Sequence, residues 1–196
     1  MTQDAKVEEE LSAKNLVIAG VDEVGRGSLV GPVVACAFIF HNLKTSIKVC
    51  DSKSISKIKR IRLFYEILQT NSLFSLGLAS HKEIDQINIL NATKLAMKRA
   101  VEGLRSKPDI LLIDGSNKIK SDINQKCIIK GDSICKSIGA ASIVAKVSRD
   151  SLMDKLSSLF PLYEFNTNKG YGKKKHKKLI SKYGITPIHR KSFRLT

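Results

Sequence analysis

Two adjacent carboxylates, Asp22 and Glu23, stand at the end of a short apolar run and are followed closely by Gly25-Arg26-Gly27. Carboxylate oxygens hold hard divalent cations, and glycine residues let backbone amides approach a phosphate or a sugar closely. Acidic groups suited to a metal ion, beside a basic turn suited to phosphate, predict metal-dependent chemistry on nucleic acid.

Two more acidic residues are candidates for the same site. Asp114 follows the apolar run at 110–113, and Asp132 lies just ahead of a predicted helix. Reactive groups collect at strand ends in open α/β sheets, so both are expected to converge with the first two carboxylates. Each also has an ordinary structural alternative, because Asp114 before a glycine suits a turn and Asp132 suits a helix cap.

Four converging carboxylates would repel one another unless a cation neutralises them, which predicts a Mg²⁺ or Mn²⁺ site. Such a site suits phosphodiester hydrolysis, in which one ion activates water and a second, roughly 3.5–4 Å away, stabilises the leaving oxygen. Because consecutive residues of a regular strand point to opposite faces, the first strand is expected to end or bulge at Glu23.

The elements that position these groups follow from the apolar pattern. Strands are predicted at 16–21, 32–40, 73–79, 110–113 and 126–129. Helices are predicted at 56–68 and 140–159, and one or two helices at 82–104. The first of these helices is predicted from Ile58, Ile61, Tyr65 and Leu68 at helical spacing. The continuous apolar run at 110–113 is typical of a central strand that is parallel to a neighbour. The pattern predicts a mixed α/β sheet with helices on both faces.

The charge of the chain indicates a polyanionic partner. Its 196 residues carry a net charge of +16, from 34 Lys and Arg against 18 Asp and Glu. Nucleic acid is the simplest such partner, although a generic lysine-rich soluble protein would show a similar excess. Glu164 is the last acidic residue, and only basic charges follow it: Lys169, Lys173, Lys174, Lys175, Lys177, Lys178, Lys182, Arg190, Lys191 and Arg194. This tail is expected to contact a phosphate backbone without sequence selectivity.

Three segments are predicted: a flexible N-terminal segment at 1–14, a catalytic core at 15–160 and a basic substrate-binding segment at 161–196. The four cysteines lack metal-finger or redox-pair spacing, which predicts free thiols in a reducing compartment. The polar N-terminus is unlike a secretory signal, and no apolar run is long enough to span a bilayer. A cytosolic protein is therefore expected.

These motifs resemble those of the ribonuclease HII family. The resemblance extends from about Leu16 and is carried by blocks in family order: Asp22 to Gly27, Gly31-Pro32, Asp51-Ser52-Lys53, Asp114-Gly115, Lys130-Gly131-Asp132, Ala140 to Asp150, Gly170-Tyr171-Gly172 and Pro187 to Phe193. It implies a ribonuclease H-like fold, cleavage of RNA in RNA–DNA hybrids, and cutting at single ribonucleotides embedded in duplex DNA.

The resemblance also implies roles for individual residues. Asp22, Glu23, Asp114 and Asp132 correspond to the metal-binding catalytic carboxylates of the family. The Gly25-Arg26-Gly27 turn corresponds to the element that reads the 2′-hydroxyl, the group that distinguishes RNA from DNA. Tyr171 corresponds to a tyrosine that stacks on the sugar after the junction.

Several alternatives remain open at this point. Asp150 competes with Asp132 as the fourth carboxylate, and Tyr171 alone would suit a core or turn position. Lys53 is a candidate phosphate contact or a solvated loop lysine. His189 and Arg190 are candidates either for contacting the substrate backbone or for packing the C-terminal segment.

Departures from the family pattern are few. The family often has lysine where Ser54 stands and alanine where Gly139 stands, and neither change removes a metal ligand. The sister family, ribonuclease HIII, usually has lysine in place of Arg26 and an extra N-terminal domain, so it is the less favoured relative. A non-catalytic nucleic-acid-binding protein is the alternative function, and a monomer is expected in either case.

Overall fold

The computed structural model of the protein describes residues 3–43, 47, 49 and 55–195. Its centre is a five-stranded sheet in the order β3-β2-β1-β4-β5. The strands are β1 (Ile18–Val24), β2 (Val33–Ile39), β3 (Leu73–Ala79), β4 (Ile110–Asp114) and β5 (Asn124–Ile128). Strand β2 is antiparallel to both β1 and β3, whereas β1, β4 and β5 are parallel. The mixed sheet and the parallel central strand predicted from the sequence are confirmed.

Helices cover both faces of this sheet. They are α1 (Gln3–Ala13), α2 (Lys57–Leu68), α3 (His81–Glu102), α4 (Gly131–Ile134), α5 (Lys136–Leu159), α6 (Phe165–Asn168) and α7 (Lys174–Tyr183), with a 3₁₀ turn at Pro161–Tyr163. Ala19 and Val21 of β1 pack in the core on the α3 face. Gly20 faces α5, where a Cβ atom would lie 2.2 Å from the Ser137 carbonyl carbon. The missing side chain therefore lets α5 lie directly on the central strand.

Helix α1 lies within the N-terminal segment at 1–14 that the sequence predicts to be flexible. Val7 is buried against the sheet and the start of α5. The buried Glu8 carboxylate accepts hydrogen bonds from the backbone N–H groups of Lys136, at 2.6 Å, and Ser137, at 2.9 Å. These are unsatisfied donors at the N-terminus of α5, where negative charge is favoured. Glu8, one of the acidic residues of this segment, therefore caps the N-terminus of α5 in a buried place.

The C-terminal segment packs on the loop between β1 and β2. Isolated bridges pair Ser28 with Tyr171 and Val30 with His189. Beneath them lies an apolar cluster of Leu29, Val30, Met153, Tyr163, Phe165 and Ile180. The segment that carries the basic residues is therefore packed against the rest of the protein through this apolar cluster.

The largest difference from the predicted elements concerns α2. The helix spans nearly the predicted residues, but it buries Arg60, Leu63 and Ile67. Its apolar residues named in the sequence prediction are exposed instead: Ile58, Ile61, Tyr65 and Leu68. Their helical spacing identified the helix and not its buried face.

The remaining sequence predictions have mixed outcomes. Helix α5 begins at Lys136, four residues before the predicted start. Cys36 and Cys135 are buried free thiols and Cys127 is a half-buried one, whereas Cys50 lies outside the described residues. None of the described helices combines the length and the apolar composition that a membrane-spanning segment needs.

Candidate active site

Strand β1 carries the first two carboxylates and does not end at Glu23, contrary to the prediction from the sequence. It continues to Val24, with Asp22 paired to Cys36 and Glu23 to Ala35 of β2. Because side chains alternate along a strand, the two carboxylates leave it on opposite faces. Asp22 points under α5 and is 1% exposed. Glu23 lies at the rim, where its Oε1 atom is 3.5 Å from Nη1 of Arg26.

The environment of Asp22 disfavours its negative charge. Burial raises the pKa of this carboxyl well above its ordinary value, and the charges of Glu23 and Asp114 raise it further. The Ser142 side chain and the Glu23 N–H partly oppose the rise. Oδ2 of Asp22 is buried and has no hydrogen-bond partner among the described residues. A cation at this oxygen would satisfy it and relieve the repulsion.

Asp114 lies beside Asp22 because the strands that carry them are parallel neighbours. Val21 and Ile113 pair in the ladder, so the next residue of each strand is an aspartate. Oδ1 of Asp114 accepts a hydrogen bond of 2.7 Å from the N–H of Gly131. This bond ties the end of β4 to the first residue of α4.

Asp132 follows Gly131 and is itself buried. Lys130, just before α4, adopts a left-handed conformation with φ of 56°, which turns the chain sharply towards β4. A Cβ atom on Gly131 would lie 2.6 Å from Cδ1 of Ile138. Glycine therefore allows the turn that carries Asp132 to approach Asp114.

The four carboxylates supply oxygen donors rather than a closed metal cage. Within the part of the chain that the structure describes, no three acidic, histidine or cysteine side chains meet in a ready-made metal-binding group. The donor set still fits a divalent cation, since hard cations prefer carboxylate oxygens and Asp22 offers an unsatisfied one.

Asp150, the other candidate for the fourth carboxylate, has a different partner. Its Oδ1 atom forms an ion pair of 2.7 Å with Nζ of Lys146 one turn earlier on α5. Lys146 and Arg149 lie over the Tyr171 ring, at 5.9 Å and 5.6 Å from its centroid. The geometry thus associates Asp150 with the Tyr171 side of the site.

The turn at residues 25–27 lies directly after β1. Gly25 has φ of +93°, and a Cβ atom there would lie 2.2 Å from Nε of Arg149, so glycine is required at this position. The next two residues, Arg26 and Gly27, are exposed. A Cβ atom on Gly27 would meet nothing within 4 Å. The space beside Gly27 is open for a ligand.

Two buried arginines hold this turn and the chain that follows it, and neither role has a clear signal in the sequence. Arg149 donates to the Pro32, Lys169 and Val30 carbonyls and to the Ser28 hydroxyl. Arg190 donates to the carbonyl oxygens of Gly25, Arg26 and Gly31. Burial and the nearby Arg149 lower the pKa of Arg190 to about 9. Of the two roles considered for Arg190, packing inside the protein is the one that the structure places.

Tyr171 is held beside the same turn. Its backbone pairs with Ser28, and its carbonyl oxygen accepts a hydrogen bond of 3.0 Å from Nδ1 of the buried His176. The ring is half-buried, so one part of it remains accessible. Lys53, the predicted phosphate contact, lies outside the described residues.

Comparison with known proteins agrees with this architecture. The family model for ribonuclease HII matches residues 19–196. The ribonuclease HII of Lactobacillus delbrueckii subsp. bulgaricus is 50% identical over 186 residues, covering 95% of this chain and 72% of that protein. The ribonuclease HII of Rickettsia akari is 48% identical over 180 residues, covering 92% of both.

Solved structures share the fold. The ribonuclease H2 of Pyrococcus horikoshii OT3 superposes with a TM-score of 0.75 at 29% identity, over 91% of this chain and 94% of that one. Bst-RNase HIII in complex with Mn²⁺ superposes with a TM-score of 0.71 at 21% identity, over 92% of this chain and 68% of that one. The sheet order, the carboxylates at the strand ends and the family match lead to one conclusion: this chain is a member of the ribonuclease HII family.

Proposed function

We propose that this protein is a metal-dependent endoribonuclease that hydrolyses the RNA strand of RNA–DNA hybrids and also cuts on the 5′ side of a single ribonucleotide in duplex DNA. Family membership gives the ribonuclease H activity. The single-ribonucleotide cut, with 3′-hydroxyl and 5′-phosphate products, is the finer part of the proposal. A monomer acting in the cytoplasm stays a prediction.

The observation that carries the proposal is the juxtaposition of Asp22 and Asp114 with an exposed glycine turn. Asp114 ends β4, Asp22 lies two residues before the end of the neighbouring parallel strand β1, and residues 25–27 follow β1 directly in the chain. A nucleotide lying on the turn would therefore present its adjoining phosphate to the carboxylates. A 2′-hydroxyl at the turn is the group by which a protein can distinguish RNA from DNA.

Asp22, Glu23, Asp114 and Asp132 would hold two Mg²⁺ or Mn²⁺ ions, which would supply water activation and stabilisation of the leaving oxygen. Glu23 leaves β1 on the other face but lies at the rim, where its charge acts on Asp22, so it would approach the ions from that side. The unsatisfied Oδ2 atom of Asp22 supports this role. Mn²⁺ is bound by Bst-RNase HIII, whose fold this chain shares.

The remaining contacts of the substrate would come from the C-terminal segment. Tyr171 presents a half-buried ring beside the turn, suited to stacking on the next sugar. Helix α7 exposes Lys174, Lys175, Lys178 and Lys182, while His176 and Ile180 are buried on its other side. This lysine face would bind phosphates without reading sequence.

The proposal is tested by cleavage of a labelled DNA duplex that holds one ribonucleotide. The reaction is run with Mg²⁺ or Mn²⁺, beside an all-DNA duplex and an EDTA control, and the product ends are mapped. We expect one metal-dependent cut on the 5′ side of the ribonucleotide that leaves a 3′-hydroxyl. Salt-sensitive binding without a cut in either metal would contradict the enzyme and favour a non-catalytic binding protein.

A further inference from the structure

Arg190 is a wholly buried cation whose hydrogen bonds all converge on the turn at residues 25–27 and the chain just after it. Its Nη2 atom donates to the Gly25 carbonyl at 2.8 Å, and its Nη1 atom to the Arg26 carbonyl at 2.8 Å. Its Nε atom donates to the Gly31 carbonyl at 3.0 Å. In the described part of the chain these donors pair with carbonyls and with no carboxylate. The guanidinium group therefore holds the backbone of this turn and of the chain just after it through three hydrogen bonds.

These hydrogen bonds fix the direction of two backbone N–H groups. In a trans peptide the N–H group points opposite to the carbonyl of the preceding residue, and the described chain contains no cis peptide. Since the Gly25 and Arg26 carbonyls point down to Arg190, the N–H groups of Arg26 and Gly27 point away from it. Both residues are exposed, and neither N–H donates to another described residue. Two outward donors therefore stand beside the carboxylates.

Arg190 is itself fixed from the opposite side. Its own N–H donates to the Leu29 carbonyl at 2.9 Å, and its guanidinium stacks 5.1 Å from the Phe193 ring centroid. The next two N–H groups, of Lys191 and Ser192, both donate to the Asp85 carboxylate of α3. Asp85 lies in the short helical segment of α3 that precedes a non-helical break at Asn88, so the guanidinium is anchored to the start of α3.

We propose that Arg190 is a positioning residue for ribose recognition, which orients the Arg26 and Gly27 N–H groups towards the 2′-hydroxyl of the ribonucleotide. This inference rests on the proposed function, because it assumes that the turn receives a ribonucleotide. Arginine is needed because its planar guanidinium carries five donors in a fixed fork. A lysine ammonium has the same charge, but its single nitrogen cannot serve the Gly25, Arg26 and Gly31 carbonyls together.

The test compares Arg190→Lys with two controls. Arg105→Lys makes the same change at an exposed arginine before β4, outside the basic C-terminal segment. Ile67→Val removes one methylene from a buried side chain of α2 and so lowers stability away from the turn. For each protein we would measure kcat and KM on the single-ribonucleotide duplex, the inhibition constant Ki of an all-DNA duplex, and the melting temperature.

The Ki of the all-DNA duplex reports binding that does not involve a 2′-hydroxyl. We expect Arg190→Lys to lower kcat/KM by at least about tenfold, because a misplaced contact costs this much or more, and to leave Ki unchanged. Both controls should retain the wild-type kcat/KM. The Arg190 role would be overturned by an unchanged kcat/KM in Arg190→Lys. It would also be overturned if kcat/KM and Ki worsened together, or if Ile67→Val at an equal melting temperature lost as much.

Failure of the proposed function has a separate signature. If the wild-type protein does not cut the single-ribonucleotide duplex, then the junction specificity itself is wrong. If the wild-type protein cuts and Arg190→Lys cuts equally well, then only the positioning role is wrong.

Discussion

Gly25 and Gly27 occupy the same turn for different physical reasons. Gly25 is required by the protein itself, because its backbone has a positive φ and it lies against Arg149. Gly27 has neither constraint, and the space where a side chain would stand is empty. A glycine that the fold does not need is typical of a place where a ligand approaches the backbone closely. The fold therefore requires glycine at position 25, whereas glycine at position 27 is the one expected to serve the function.

Gly27→Ala tests this distinction. The added methyl group meets no atom of the protein, so the melting temperature should be unchanged or slightly higher, because alanine restricts the unfolded chain more than glycine does. The same methyl group would displace a ribose from the turn, and a displacement of this kind lowers kcat/KM by about a hundredfold. Wild-type kcat/KM on the single-ribonucleotide duplex would show that no substrate approaches Gly27.

At the scale of elements, the buried faces of helices were harder to predict than the elements themselves. Strands β1 and β4 were predictable because apolar runs end at carboxylates. The buried face of α2 was not, because Arg60 is buried with its Nη2 atom bonded to the Ile55 carbonyl, while Tyr65 is exposed. Helix α1 was missed because its acidic composition serves the N-terminus of α5, a contact made far along the chain.

Glu8→Gln tests the contact between α1 and α5. The substitution keeps the size of the side chain. It removes the negative charge of the carboxylate whose oxygens accept hydrogen bonds from two N–H groups at the start of α5. We expect the free energy of unfolding to fall by about 1–2 kcal/mol, the usual size of a cap or a charge–dipole contact in a partly buried place. The control is Glu9→Gln, the same change at an exposed position of α1. Equal stability of the two variants in urea unfolding would contradict the cap.

The packing of the C-terminal segment predicts a loss of stability in acid. Burial and the nearby His176 lower the pKa of His189 from 6.5 to about 4. Between these values the unfolded chain binds a proton that the folded protein does not, so the free energy of unfolding should fall as pH drops from 6.5 towards 4.

His189→Asn should weaken this pH dependence. An asparagine oxygen can replace Nδ1 as the acceptor of the Thr186 N–H, at 2.8 Å in the structure, without titrating. Part of the slope should remain, because burial also lowers the pKa of His176. The measurement is denaturant unfolding at several pH values, with the exposed His41→Asn as the control. If the free energy of unfolding of His189→Asn fell with pH as steeply as that of the wild type, then His189 would not be the source of the acid sensitivity.

At the scale of the whole molecule, the basic C-terminal segment packs on the loop that directly follows the carboxylates of β1. The carboxylates and the basic segment were both predictable, because strand-end acids and a one-sided run of lysines are visible in the chain. Arg190 was not predictable, since a basic residue in that tail is indistinguishable from a surface charge until its carbonyl partners at residues 25–31 are seen. The isolated bridges at Ser28 and Val30 and the apolar cluster beneath them bring those distant segments together.

Salt dependence tests the lysine face of α7. Replacing Lys174, Lys178 and Lys182 by glutamine should weaken binding to all-DNA and ribonucleotide duplexes equally. The slope of log affinity against log salt should become shallower by about 0.9 for each phosphate that the variant no longer neutralises. A charge-matched control replaces Lys14, Arg105 and Lys107, which are exposed and precede β1 and β4, at the end of the sheet opposite the carboxylates. Equal effects of the two triple variants would show that only net charge matters.

The proposed role of the four carboxylates in metal-dependent cleavage is tested by Asp114→Asn, with Asp150→Asn as the matched control. Both changes are nearly isosteric and each removes one negative charge, but only Asp114 adjoins Asp22. The measurement is cleavage and binding of the single-ribonucleotide duplex at saturating Mg²⁺. We predict that Asp114→Asn abolishes cleavage while binding is largely retained, and that Asp150→Asn still cuts. Cleavage by Asp114→Asn at the wild-type rate would contradict this claim.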